Sequence, residues 1–138
     1  MLIQFDIPGN PIALKRHRKG KWGNYDPSAT DKADLLAKAM QFRPETPLDE
    51  PITVSMGFRF SRPKSHYGTG KNKDKLKPTS PTWHTGTPDL DNLEKLIMDA
   101  LKGFFWKDDS ICCQKFTRKT YTEGTPGIWI QIKTLESP

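Results

Sequence analysis

Apolar and polar side chains alternate from Leu2 to Ile7, a period-two pattern that predicts a half-buried strand stopped by Pro8-Gly9. The cleanest strand is Ile52 to Phe60, where Ile52, Val54, Met56, Phe58 and Phe60 all fall on even positions. Two helices are predicted. One starts at Asp26 or Ser28 as cap and runs to about Gln41, with Leu35, Leu36 and Ala39 inward and Pro44 and Pro47 beyond its end. The other carries Leu90, Leu93, Leu96, Ile97, Ala100 and Leu101 on one face, with Gly103 placed as its stop. Ser110 to Thr122 and Ile128 to Leu135 read as a closing antiparallel pair across the Glu123 to Gly127 turn. The order β-α-β-loop-α-β-β predicts an α/β (α+β) fold: one small domain over residues 1–138, with a mixed sheet and two main helices.

Two stretches have no periodicity. Lys15 to Lys21 holds Lys15, Arg16, Arg18, Lys19 and Lys21 without an acid, and Gly20, Gly23 and Asn24 mark it as a loop. Residues 61–86 hold Arg62, Lys64, Lys71, Lys73, Lys75 and Lys77 against the single Asp74, with Tyr67 and Trp83 interleaved. A segment of that length is functional, disordered when unbound, or both.

Composition narrows the partner. The chain has 138 residues, 34% hydrophobic, and a formal net charge of +6; its pI is near 9.4 and its mean hydropathy −0.72. A basic protein of this kind favours a polyanion. Nucleic acid is preferred to membrane, because no apolar run approaches the ~18 residues of a span. Leu2 to Ile7 is too short and polar for a secretory leader, and the adjacent Cys112 and Cys113 form neither a zinc pattern nor a disulfide framework, so the expected compartment is the cytoplasm.

Within this basic chain, Asp89, Asp91, Asp108 and Asp109 crowd around Lys95. Carboxylates on a phosphate-seeking surface repel nucleic acid unless a divalent cation sits between them. Two carboxylates two residues apart point to one side of an extended segment, and Lys95 lies one turn beyond Asp91. A lysine there can contact a phosphate oxygen and offset developing charge. Of Asp108-Asp109, only one can face the same cluster. The face Asp91, Lys95, Met98, Asp99 and Lys102 is expected to look at solvent or ligand. A structural alternative fits the same residues: Asp91 with Glu94 as a capping box, Asp91-Lys95-Asp99 as an ion-pair ladder, and Asp108-Asp109 as a plain turn. The residues alone leave both readings open.

His17, His66 and His84 lack ligand spacing and read as solvated or phosphate-contacting groups, His17 being the best placed for DNA. Phe105 and Trp106 read as core anchors beneath the cluster, and Tyr67 and Trp83 as candidates to stack on unpaired bases. Gly68-Thr69-Gly70-Lys71 lacks the spacing and following helix of a phosphate loop.

The composite Asp89-Leu90-Asp91-Asn92-Leu93-Glu94-Lys95, Asp99-Ala100-Leu101 and Phe105-Trp106-Lys107-Asp108-Asp109 resembles the signature of the RusA family of Holliday-junction resolvases. That family's pattern is D-L-D-N-L-x-K, then D-A-L, then a hydrophobic residue and tryptophan before D-D. Gly9-Asn10-Pro11 and Arg16-His17-Arg18 match its layout near the amino terminus; residues 61–86 are longer than compact members need. The resemblance implies a crossover-junction endodeoxyribonuclease with Asp89, Asp91 and Asp109 as metal ligands, Lys95 as essential lysine and Asp108 as auxiliary. It further implies Mg²⁺ (Mn²⁺ as substitute) and no small-molecule cofactor, a homodimer on four-way DNA junctions, and a bacterial or prophage setting. DNA contacts are expected from Lys15, Arg16, His17, Arg18, Lys19, Lys71, Lys73, Lys75 and Lys77. A nuclease of flap or other branched-DNA specificity, and a non-catalytic nucleic-acid-binding module, are the alternatives.

Overall fold

The computed structural model describes residues 1–15, 18–20 and 23–137. Its centre is the strand with the strict even-position pattern, β4 (Ile52–Ser61), whose Ile52, Val54, Met56, Phe58 and Phe60 are all buried. β1 (Leu2–Pro8), β6 (Gly127–Thr134), β4 and β5 (Cys112–Thr122) lie in that order in one mixed sheet. β6 runs antiparallel to both β1 and β4, while β5 runs parallel to β4. The two helices, α1 (Ala29–Ala39) and α2 (Leu90–Leu101), contribute Leu35, Ala39, Leu93, Ile97 and Leu101 to the same core cluster as the sheet. The result is a small α+β domain. No helix of the described residues is long and apolar enough to cross a membrane.

The expected β5–β6 pair does not form, because β4 lies between the two strands. The chain leaves β5 at Thr122, opposite Ser61, and re-enters at Gly127, opposite Arg59, so the link passes over the end of β4. Two strand spacings are about 9.5 Å, which a link of this length covers easily. The local turn residues look the same in either arrangement; what decides it is that β4 can bury a whole face between two neighbours.

Lys15 to Lys21 also departs from a plain loop. Arg18–Gly20 (β2) pairs antiparallel with Gly23–Tyr25 (β3), a two-stranded ribbon with no apolar alternation to announce it. Gly23 has φ +118°, a conformation that side-chain-bearing residues avoid. α1 ends in a 3-10 turn at Met40–Phe42, and Arg43 is extended ahead of Pro44, as the residue before a proline must be. Ser28, one of the two expected caps, is the N-cap of α1, but its side chain makes no capping hydrogen bond. The Ser28 hydroxyl accepts from the Lys15 amide at 2.8 Å, and the Asp26 carboxylate accepts from the Ser28 amide at 2.9 Å.

After α2 the chain turns at Gly103, with φ +83°, and drives Phe105 and Trp106 fully into the core. Leu48 locks this turn in place: its amide donates to the Phe105 carbonyl and its carbonyl accepts from Lys107, both at 2.9 Å. Residues 61–86 are tied to the sheet edge by an antiparallel bridge between Trp83 and Thr120. Tyr121 donates its amide to the Thr82 carbonyl at 2.9 Å, so β5 does not present a bare edge there.

Candidate active site

The β4–β5 register explains why chemistry collects beside α2. Val54 pairs with Lys115, Met56 with Thr117 and Phe58 with Lys119, so these polar residues of β5 share the face on which β4 carries its core side chains. They meet α2 at the core's margin. Thr117 Oγ1 donates to Glu94 Oε1, and Lys115 Nζ lies 3.5 Å from Glu94 Oε2. Lys119 Nζ donates to the carbonyls of Gly86 at 2.7 Å and Pro88 at 2.8 Å, which fixes the backbone that delivers Asp89.

Asp89 is the N-cap of α2, extended at φ −70° and ψ 149°, yet its carboxylate makes no capping hydrogen bond. Asp91 lies in the first turn and its Oδ1 accepts from the Asn92 amide at 3.0 Å. Glu94 turns to β5 rather than back to the cap, and among the described residues no ion pair joins Asp91, Lys95 and Asp99. Neither the capping box nor the ladder forms among the described residues.

A cleft of about 350 Å³ opens between α2 and the start of β5, lined by Asp91, Glu94, Lys95, Asp99, Asp109 and Lys115, with Met98 and Cys112 beneath them. Met98 is buried, contrary to its expected place on the outward face, and belongs to the core cluster with Leu93 and Ile97. Asp89 is exposed at the helix end and does not line the cleft.

Asp108 and Asp109 part company. Asp109 Oδ1 accepts from the fully buried Trp106 indole, Nε1 at 2.8 Å, which orients this carboxylate on the cleft wall. Asp108 caps the following 3-10 turn by accepting from the Ser110 amide at 3.1 Å and pairs with Lys102 at 3.2 Å. Those Ser110 hydrogen bonds, helped by the Lys102 charge, pull its carboxyl down to about 2.

The charges around the cleft divide into partnered and unpartnered ones. Glu94 is matched by Lys115, and Asp99 by Lys32 at 3.4 Å, a lysine that also holds Asp26 at 2.8 Å and whose pKa is raised first by that hydrogen bond. Asp91, Asp109 and Lys95 have no ion pair among the described residues. Two carboxylates and one lysine, uncompensated and facing a common space, are a donor set suited to a hard cation and a phosphate oxygen. No group of three acidic, histidine or cysteine side chains stands ready-made around a point among the described residues. A cation of the Mg²⁺ kind would need no more than one or two of these carboxylates, with waters completing its shell.

A family model, Endodeoxyribonuclease RusA, matches residues 8–133. The chain belongs to the RusA endodeoxyribonuclease family. It is also similar to an uncharacterised Bacillus subtilis (strain 168) protein, YqaN, at 31% identity over 146 aligned positions, covering 98% of each chain. As a RusA-family member the protein is an endodeoxyribonuclease; Asp91, Lys95 and Asp109, three of the residues singled out in the sequence, line the one cleft.

The remaining candidates are dispersed. Arg16 and His17 lie outside the described residues, as do the side chains of Arg18 and Lys19. Lys15 is exposed and pairs with Asp31 at 3.6 Å. Lys71, Lys73, Lys75 and Lys77 are exposed on the long segment, away from the cleft lining. His66 and His84 pack around Tyr121, and His84 also stacks on Phe60 at 4.2 Å. Burial and the nearby Lys119 charge lower the His84 pKa. These histidines pin the long segment to the sheet. Lys115 and Lys119 escaped the sequence reading, and Glu94 was expected in a capping box rather than against β5; the alternation of Lys115, Thr117 and Lys119 on one strand face was the available signal.

Proposed function

We propose that the protein resolves four-way DNA junctions by Mg²⁺-dependent phosphodiester hydrolysis, acting as a homodimer in the cytoplasm of a bacterial or prophage-bearing cell. The observation that supports this most is the meeting of Asp91, Lys95 and Asp109 in one cleft, all three free of ion pairs among the described residues while neighbouring Glu94, Asp99 and Asp108 are paired off. Asp91 and Asp109 would hold the cation, with Asp89 joining from the helix end. When bound, Mg²⁺ supplies water of lowered pKa for in-line attack and polarises the phosphate. Lys95 contacts a non-bridging phosphate oxygen, an interaction that strengthens as charge builds there. The Trp106 indole keeps the Asp109 carboxylate facing the cleft, and Lys119 holds the turn that carries Asp89. Lys15 and the basic groups of residues 61–86 grip the arms without regard to sequence.

The homodimer follows from the task. One chain carries one such cleft, and a junction needs two symmetry-related cuts, which a two-fold pair of chains provides. The test is cleavage of labelled four-way junctions, flaps, forks and duplexes with Mg²⁺, with Mn²⁺, and with chelator. Paired symmetric nicks on junctions in the two metals are expected, and mixing in Asp91→Asn chains should yield junctions nicked on one strand. Preference for flaps or forks would assign another branched-DNA specificity. Binding with no nicking in any metal would assign a non-catalytic module.

A further inference from the structure

The segment between β4 and α2 builds a second cavity, and none of its lining residues lines the cleft. Its walls are a closed turn of chain. Lys77 donates its amide to the His66 carbonyl and Gly68 to the Lys75 carbonyl, each at 2.9 Å, while Tyr67 and Leu76 pair antiparallel between them. At the tip, Asn72 donates to the Thr69 carbonyl and Lys75 to the Asn72 carbonyl, both at 3.0 Å. The base is tied by the Arg62 guanidinium, which donates to the Pro81 carbonyl at 2.6 Å. A Cβ on Gly68 would stand 2.8 Å from the Asn72 backbone oxygen, so the turn closes only with glycine there. The hollow formed this way has a volume of about 710 Å³.

Its lining includes Lys64, Lys73 and Lys77 against the one carboxylate of Asp74, and Tyr67 is its single aromatic residue. None of the three lysines is in an ion pair among the described residues. Asp74 is the one carboxylate in this lining, and a phosphodiester supplies the negative charge that three lysines against one carboxylate leave unmatched. Cavities of ~300–1,000 Å³ hold small organic ligands, and an aromatic wall beside cations is how single-stranded nucleic acid is held: base on ring, phosphate on lysine.

We propose that this cavity is a subsite for one unpaired DNA nucleotide, with the base against Tyr67 and the flanking phosphates against Lys64, Lys73 and Lys77. The inference rests on DNA being the substrate and places a nucleotide contact outside the cleft. Base pairs next to a branch point stack on one side only and open more readily than those within a duplex, so holding one opened nucleotide gives a nuclease for branched DNA a way to recognise the branch itself rather than the duplex arms.

The test is fluorescence anisotropy of the full chain with a short labelled oligothymidylate in chelator, where cleft chemistry is silent. Wild type should bind. Tyr67→Ala should weaken binding roughly 5- to 150-fold, since stacking one base is worth about 1–3 kcal/mol, while Tyr67→Phe should retain it. Ser65→Trp, which intrudes on the cavity from its wall without replacing a lysine or Tyr67, should also weaken binding. Replacing Lys64, Lys73 and Lys77 by alanine should flatten the salt dependence by roughly 0.7 unit per lost phosphate contact. A wild type that does not bind the oligothymidylate, or Tyr67→Ala and Ser65→Trp both within about twofold of wild type, overturns the subsite. Junction cleavage measured alongside separates the two claims. A chain that nicks junctions but fails here loses the subsite alone; one that binds through the cavity but never nicks loses the nuclease reading alone.

Discussion

The cleft beside α2 and the cavity of residues 64–77 are both hollows lined by charge, built on opposite principles. The cleft draws its groups from a helix, a 3-10 turn and a strand, each fixed by core packing, and it is rich in carboxylates. The cavity is made of irregular backbone closed by its own hydrogen bonds, and it is rich in lysines. Chemistry on a phosphate needs groups held to a fraction of an ångström, which regular elements supply. Holding a flexible polyanion needs charge and a platform, which a hydrogen-bonded loop supplies.

The largest effect that can break this contrast is loss of a cleft carboxylate. Asp91→Asn and Asp109→Asn should each reduce junction cleavage by about 10³-fold or more, as loss of metal-assisted hydrolysis requires. Affinity measured with Ca²⁺ should stay level or rise slightly, because a negative charge near phosphate is gone. Asp108→Asn, which only releases Lys102 and the Ser110 cap, should stay within about threefold of wild type. Equal collapse of Asp108→Asn in gel-based cleavage assays would put the wrong member of the pair in the cleft.

Lys95→Ala comes next. Its contact strengthens as charge develops, so kcat should fall about 10²–10³-fold with affinity within about twofold. A loss confined to binding would make Lys95 one more gripping lysine and erase the distinction between the two hollows.

Trp106→Phe sharpens the account of how the cleft is held. It keeps a buried ring and removes the donor to Asp109, so single-turnover cleavage should drop about tenfold, with a stability loss in urea of about 1–3 kcal/mol. Unchanged cleavage would show that Asp109 is oriented by something else.

The smallest effect on chemistry belongs to the loop. Replacing Lys71, Lys73, Lys75 and Lys77 together should weaken junction binding and lower the slope of log affinity against log salt by roughly one unit per lost phosphate contact, while kcat at saturating DNA changes little. An unaltered slope would remove this loop from the DNA.

Much of this was legible in the chain. The even-position pattern of Ile52 to Phe60 and the leucine spacing of α2 gave those elements nearly to the residue, because each buries a full face and periodicity records burial. Strand neighbours were not legible. A short Gly- and Pro-containing turn is compatible with a hairpin or with strands that straddle a third, and no local pattern says which. Asp91, Lys95 and Asp109 line one cleft because Leu93 and Ile97 seat α2 in the core and Trp106 anchors the turn, yet which aspartate of the Asp108-Asp109 pair faces it depends on the Trp106 indole N–H and on the Ser110 and Lys102 partners of Asp108, contacts that no local pattern announces. The 64–77 turn had no periodicity to read, since its order comes from backbone hydrogen bonds and the close approach at Gly68 rather than from burial.

The most direct test of the central claim is anomalous diffraction from crystals of the protein soaked in Mn²⁺. The account predicts a peak in the cleft at inner-sphere distance from the carboxylates of Asp91 and Asp109, lost in the Asp91→Asn protein. A protein that nicks junctions in Mn²⁺ but binds the ion elsewhere, with no peak between Asp91 and Asp109 at saturating metal, would contradict it.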